Sequence, residues 1–591
     1  MLYPQSNQCR QVTDLSGFWT LKPDPGNSGL KEKWHLGFSD GMTVGVPGSW
    51  NEQLAEAGLM NYVGKVWYQK QFYTPPAAAG QQNYIRFDAA DFNARVWLNG
   101  EYLGEHRGGF LPFEFNVTGI LSDDKENVLI VCNDNRLDHD SIPQGLSDKD
   151  YHEFGKEREL TYPPTVFDFF AYGGLSRHVR LFSRPEIALE QIKIFTHIKN
   201  RAGQVELVLR YTGNIPEANV RITVHDSDHK VASAEVGLDQ ALHLSLDIPD
   251  CIFWCPENPH LYRLHMALYE NDRMIDEYHQ DFGVREILIN GDQLLLNGNP
   301  VFLRGFGKHE DFAVLGRGLS YPLVAKDFQL MRWIGANSFR TSHYPYAEEV
   351  MQLADRLGFL VIDEVPAVSL NFKYVSGKTL ERHKQMLTEL IVRDQNHPSV
   401  IAWSVANEPG IWGEPEAIGK NAHNYWREIY DHTKDLDHTR PVTLPACAKW
   451  GMEDPVFEFS DFISVNRYWG WYEIPGELPK AGELLYKELQ GLYNKYKKPV
   501  MLTEFGADTL EGAHATYVQI FTEEYQADLL KVYFETIAAL PFMIGEHIWN
   551  FADFRTAQNH RRVIMNKKGI FTRERDPKMA AFMVRKYWLN K

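Results

Sequence analysis

A chain of 591 residues is longer than one hydrophobic core supports, so length alone points to roughly two to four domains. The composition, 44% hydrophobic, 13% aromatic and 24% charged, is that of a folded soluble protein, and no stretch approaches the roughly 18 apolar residues that cross a membrane. A net charge of −17 argues against nucleic acid or an anionic membrane as the main partner.

The opening segment MLYPQSNQCRQVTDLSG has no basic stretch, apolar core or small-residue cleavage site of the kind that marks a secretory leader. The cysteines, Cys9, Cys132, Cys251, Cys255 and Cys447, are few and odd in number, which fits reduced thiols in a cytoplasm. Cys251 and Cys255 read as packed side chains, because a zinc site needs a second pair.

Residues 1–183 alternate in short apolar runs such as VWYQKQFYT, NYIRFDAA and NVLIVCND, and predict a jelly-roll β-sandwich. Within it Asn99-Gly100 is the preferred two-residue hairpin turn. Residues 184–282 carry further strands, VELVLRYTG, NVRITVHDS and HLYRLHMALYE, at the spacing of a small immunoglobulin-like sandwich. From residue 283 to 591 strand-like runs alternate with helical segments such as AEEVMQLADRLG and TLERHKQMLTELIVRDQ, which requires parallel strands with crossover helices. The runs VFLRGFGKHE, ANSFRTSH, FLVIDE, VIAWSVANE, PVTLPAC, FISVNRY, PVMLTEF and MIGEHIWNF predict a (β/α)8 barrel, a fold whose chemistry sits at the C-terminal ends of the strands.

Those ends hold Lys308, His309 and Glu310; Arg340 and His343; Asp363 and Glu364; Asn407 and Glu408; Asn466, Arg467 and Tyr468; Glu504; and Trp549 and Asn550. So many polar groups are costly to bury for stability alone, and the rim reads as a site. Glu408 and Glu504 each follow an apolar strand and should face one another across the mouth. Paired carboxylates suit glycoside hydrolysis, one protonating the leaving oxygen while the other attacks the sugar or activates water. The alternative for either glutamate is a structural ion pair with an arginine. Metal is disfavoured at the rim, since His309, His343, Asp363 and Glu364 come from three strands without a zinc motif; His343 reads as a donor to a substrate hydroxyl. No phosphate or dinucleotide loop stands out, so no cofactor is expected.

RTSHYPY, VIDEVP, NHPSVIAWSVANEP, NRYWGWY, TEFGADT and EHIWNFADF, in this order after two β-sandwiches, resemble glycoside hydrolase family 2 over essentially the whole chain. The resemblance implies a retaining mechanism with Glu408 as acid/base and Glu504 as nucleophile. It also implies that Asp168 reaches sugar hydroxyls from the jelly roll, and that Asn407, Tyr468, Tyr472, Trp549 and Arg562 line the pocket with His343 and Asn466. Members of this family are commonly tetramers, so a homo-oligomer, tetramer or dimer, is implied as well.

The sugar is suggested by VIMNKKGIFTRER, which with Arg562 gathers Lys567, Lys568, Arg573 and Arg575 in a strongly acidic chain. A uronic acid carries a carboxylate at C6 and calls for fixed cationic donors. Asn566-x-Lys568 is similar to the carboxylate-reading motif of the glucuronide-hydrolysing members, so the cluster reads as a cationic socket with Lys567 pointing away. A neutral hexose would then leave Lys568 buried without a partner charge. The expected reaction is retaining exo-hydrolysis of β-D-glucuronides to glucuronic acid and aglycone. Alternatives are a galacturonide, differing only at C4, another family 2 exo-glycosidase, or a non-catalytic carbohydrate-binding protein. VPAVSLNFKYVSGKTLERH enters its helix quickly after the third barrel strand, without the insertion some bacterial members carry, so an open aglycone side is expected.

Overall fold

The computed structural model describes residues 1–74, 80–146, 165, 167–213, 218–238, 241–410, 415–447, 452–558 and 560–590. The N-terminal sandwich pairs a four-stranded antiparallel sheet (Gln11–Asp14, Val179–Pro185, Gln81–Phe87, Phe113–Asn116) with a six-stranded one built around Lys65–Phe72 and Asn127–Asp134. Alternate residues of each strand point inward, so Trp19, Tyr68, Ile85, Phe87, Val96, Leu129 and Leu181 form one core. Asn99 and Gly100 both have positive φ, 53° and 85°, the backbone a two-residue turn between twisted strands requires.

The second sandwich stacks a sheet of Leu189–Lys199, Ala202–Tyr211 and Ala241–Ile248 on one of His229–Gly237, Asn219–Asp226, Tyr262–Glu270 and Arg273–Phe282. Its core follows strict alternation, Val205, Leu207, Leu209 against Val220, Ile222, Val224 and Leu264, Met266, Leu268.

Between this sandwich and the barrel lies a small antiparallel sheet, Ile287–Asn290, Gln293–Leu296 and Asn299–Pro300, placed by the sequence reading inside an undivided barrel region. Ile287, Leu294 and Leu296 pack on Leu303, Leu360, Ile401, Met501 and Ile544, at the starts of barrel strands, and so close its N-terminal end.

The barrel strands are β1 (Leu303–Gly307), β2 (Ser338–Arg340), β3 (Leu360–Glu364), β4 (Val400–Ser404), β5, β6 (Ile463–Asn466), β7 (Val500–Glu504) and β8 (Met543–Ile548), all parallel. β5 is broken into Val442–Thr443, which pairs with β4, and Pro445–Ala446, which pairs with β6. Pro445 has no N–H for a ladder, which accounts for the break. Counted as one strand, its halves complete eight. Helices cover the outside, among them α1 (Tyr321–Ile334), α2 (Glu348–Leu357) and α3 (Gly377–Asp394). Gly335 and Gly358 end the first two in left-handed conformation at φ 88° and 74°, and a Ser376–Thr379 capping box starts the third.

The first sandwich leans on the barrel mouth through buried ion pairs. Arg573, fixed to Asp311 of the barrel at 2.5 Å, reaches Glu52 of the sandwich at 2.8 Å; Arg317 of the barrel pairs with Asp91; Arg177 of the sandwich, held by the Phe110 carbonyl, donates to the barrel's Pro345 carbonyl. This docking brings Asp168 to the mouth.

Candidate active site

Strand alternation decides which end residues face the mouth. Lys308 turns outward to Asp327 at 3.0 Å, Asp363 accepts from Thr341 at 3.0 Å, and Arg467 binds Glu488 at 2.6 Å. These three belong to the framework, so the rim is not uniformly a site. Arg340, Glu364, Asn466 and Glu504, each the last residue of its strand, face inward.

Arg340 is fully buried and organises them. Its Nη1 donates to both oxygens of Glu364 (2.7 and 2.8 Å) and its Nη2 to Oε1 of Glu504 at 2.5 Å. Ser404 fixes Glu364 from the other side at 2.6 Å. The second oxygen of Glu504 accepts from the Tyr468 hydroxyl at 2.8 Å. Burial pushes the Glu504 carboxyl up, to about 8, with Arg340 opposing and Glu408 adding to the rise. Two donors aimed at its two oxygens nevertheless match the carboxylate form.

Glu408 lies four residues past β4 at a left-handed φ of 45°, a conformation that costs a non-glycine residue about 1–2 kcal/mol. Strain of this kind is characteristic of residues aimed for chemistry. Its N–H donates to the Pro445 carbonyl at 2.8 Å, and its Oε1 accepts from Asn466 at 2.9 Å. Asn466 also donates to Asn407 at 3.1 Å and is oriented by the Thr503 hydroxyl at 2.8 Å. His343 binds Glu364 through Nδ1 at 2.8 Å, stacks on Trp549 at 4.8 Å, and keeps Nε2 3.7 Å from Glu504. Burial and then Arg340 hold this imidazole neutral, well below its ordinary range.

The C-terminal loop supplies the adjoining wall. Lys568, fully buried, donates to Tyr472 Oη at 2.9 Å and to Asp508 at 2.5 Å. Arg562 donates to the same Tyr472 oxygen at 2.8 Å, to Asp508 at 3.1 Å, and grips Asp168, which also accepts from Asn566 at 3.0 Å. Tyr472 lies 5.1 Å from Tyr468, ring to ring, and Tyr468 holds Glu504, so socket and carboxylate share one wall. Burial raises the Asp508 carboxyl, but Lys568 and Arg562 outweigh it and keep it ionised.

The structure therefore gathers all twelve sequence-derived residues around one mouth, as two linked groups: Glu408, Glu504, His343, Asn407, Asn466, Tyr468 and Trp549, and Asp168, Tyr472, Arg562, Asn566 and Lys568. The charges pair differently from the sequence-based expectation. Lys568 does not lack a partner charge, because Asp508 already supplies one. The basic segment is not one socket either: Lys567 pairs with Glu511 and Asp553, Arg573 with Asp311 and Glu52, and Arg575 with Asp327. Sequence reasoning assigned no site role to Arg340, Glu364 or Asp508. Asp508, four residues past Glu504 in TEFGAD, was legible only as a polar residue beyond a strand end.

Three successive profiles match the chain: the sugar binding domain of glycosyl hydrolases family 2 over residues 12–185, a further family 2 domain over 187–285, and the family 2 TIM barrel domain over 287–591. The chain belongs to family 2 of the glycosyl hydrolases. Among family 2 relatives, the β-glucuronidase of Paenibacillus borealis is 38% identical, with 100% of this chain and 98% of that protein aligned. The solved β-glucuronidase of an uncultured Clostridium sp. is 39% identical, with a TM-score of 0.92 and complete coverage of both chains. A Ruminococcus gnavus β-glucuronidase structure in complex with D-glucuronic acid is 34% identical, with a TM-score of 0.91 and 99% of each chain covered. This family 2 enzyme is thus a glycoside hydrolase, with a barrel mouth built from carboxylates, hydrogen-bond donors and aromatic rings.

Proposed function

We propose that the chain is a retaining exo-β-glucuronidase, converting β-D-glucuronides to glucuronic acid and aglycone, with Glu504 as nucleophile and Glu408 as acid/base. The observation that carries this reading is the shared Tyr472 hydroxyl, which takes a hydrogen bond from both Lys568 and Arg562 beside the Tyr468–Glu504 pair. A cationic wall next to a buried carboxylate suits a sugar that is anionic at C6 and reacts at C1. The ammonium has three donors, two of them committed to Asp508 and Tyr472, which leaves one for the substrate carboxylate. Full-length relatives named β-glucuronidase, and one solved with D-glucuronic acid, support the same substrate.

In the first step the Glu504 carboxylate attacks the anomeric carbon while Glu408 protonates the departing glycosidic oxygen, leaving a glycosyl ester on Glu504. In the second, Glu408 takes a proton from water, which attacks the same carbon and releases glucuronic acid with its configuration kept. Arg340 and Tyr468 orient Glu504, and Asn466 orients Glu408. Proton NMR of the first-formed product tests the stereochemistry: β-glucuronic acid is expected, and the α anomer would refute a nucleophilic Glu504. Labelling by a 2-deoxy-2-fluoro glucuronide should mass-tag the peptide holding Glu504.

We further infer cytoplasmic residence, supported by five cysteines that form no disulfide among the described residues, and a homo-oligomeric assembly, tetramer or dimer, from the family resemblance. No helix among the described residues is long and apolar enough to cross a membrane. Light scattering gives the assembly mass, and thiol titration of protein taken from cells tests the redox setting.

A further inference from the structure

We propose that His265, Glu277 and His279 form a binding site for a borderline divalent transition metal, Zn2+ foremost, on the outer face of the immunoglobulin-like sandwich. His265 and His279 are direct cross-strand partners on Tyr262–Glu270 and Arg273–Phe282, and Glu277, two residues before His279, lies on the same face. The two imidazoles stack at 4.5 Å with 12° between their planes, and the three side chains offer ligand atoms within 4.8 Å of one another.

The distances fit one ion. Glu277 Oε2 lies 3.3 Å from His265 Nε2 and 3.9 Å from His279 Nε2. Zinc binds imidazole nitrogen and carboxylate oxygen at about 2.0–2.2 Å, so two donors on one ion stand no more than about 4.2 Å apart. Both separations fall inside that limit, and the two imidazoles bring their ligand nitrogens within 4.8 Å of one another. Two nitrogens and one oxygen suit Zn2+, Ni2+ or Cu2+ and do not suit Mg2+ or Ca2+, which take oxygen.

Two further observations point to a cation. Glu277 is only 8% exposed, and its ion-pair partners among the described residues are these two histidines, with no lysine or arginine within 4.0 Å. A buried carboxylate without a permanent counter-charge is costly, and a dication would supply one. The carboxylate is also held in place as metal ligands are, its Oε1 accepting the Gln8 N–H at 3.1 Å, while Asn7 donates to the Glu277 backbone carbonyl at 2.9 Å. Gln5 clamps the His279 backbone in both directions, at 2.6 and 3.1 Å. The histidine side chains are 27% and 40% exposed, which leaves the solvent side open for entry and for water as further ligand.

Calorimetric titration of the full-length, untagged, chelator-stripped protein with ZnCl2, beside thermal melts, tests the proposal. The expected result is a single saturable equivalent that raises the melting temperature, weakened by about tenfold or more in His265→Gln and in His279→Gln, with no response to MgCl2. Both variants should melt like the parent without zinc and hydrolyse substrate as it does, since neither approaches the barrel mouth. No saturable binding, or unchanged affinity in both variants, would overturn the proposal.

Discussion

Lys568 lies between the Asp508 carboxylate and the Tyr472 hydroxyl, so the substrate carboxylate proposed for it would join an existing ion pair and not rescue an orphan charge. A charge-assisted hydrogen bond contributes roughly 1.5–3 kcal/mol, so Lys568→Met should lower kcat/KM for an aryl glucuronide by roughly 10- to 150-fold. Arg340 offers a second test, through pH. Burial raises the Glu504 pKa and Arg340 opposes that rise, so Arg340→Gln should raise it further. If Glu504 is the proposed nucleophile it must be ionised to attack, so activity is lost as pH falls through that pKa, and the acidic limb of the kcat/KM profile should move to higher pH in the variant. An unmoved limb would separate Arg340 from the nucleophile. At this scale the sequence showed which residue types crowd the rim. It could not show which face inward, because a strand only three residues long, such as β2, gives no alternation to read. Asp508 stayed hidden because its role depends on Lys568, sixty residues away in sequence.

Elements were more legible than their interruptions. Apolar runs between helical segments marked every barrel strand, but the break in β5 rests on one proline within a run that otherwise reads as a strand. The antiparallel sheet under the barrel has its signal in Gly291-Asp292 and Asn297-Gly298, two hairpin-type turns six residues apart. Two predictions belong here. The segment between β3 and α3 is only residues 365–376 and is tied to the β4 side by bridges from Val368 to Asn407 and Asn371 to Gly410. With no long insertion between β3 and α3, bulky and small glucuronides should turn over at comparable rates; slow turnover of bulky ones alone would contradict that. Arg573, by contrast, belongs to the framework although it lies in the same basic stretch as Lys568. Arg573→Met removes one partner from buried pairs and should destabilise the fold by roughly 3–5 kcal/mol while the preference for glucuronide over galactoside stays as it was.

For the molecule as a whole, the order of two sandwiches and a barrel followed from changes in periodicity along the chain. How they dock did not, because it depends on ion pairs between residues hundreds of positions apart, such as Arg573 with Glu52 and Arg86 with Glu348. A framework pair inside the barrel makes stability depend on pH. Burial depresses His397, but Asp355, 2.5 Å away, outweighs it and lifts the imidazole to about 9 from an ordinary 6.5. A raised folded-state pKa stabilises fully below 6.5 and loses that contribution as pH rises through 9, so the melting temperature should fall across this window and fall less in His397→Gln. The central claim, that Lys568 and its neighbours read a C6 carboxylate beside Glu504, is tested most directly by initial rates on matched aryl β-glucuronide, β-galacturonide and β-galactoside, with Lys568→Met and Glu504→Ala alongside. Strong preference for the glucuronide is expected, with turnover abolished by Glu504→Ala and the preference narrowed toward the galactoside by Lys568→Met. Preference for the galactoside, or rates untouched by Lys568→Met, would contradict it.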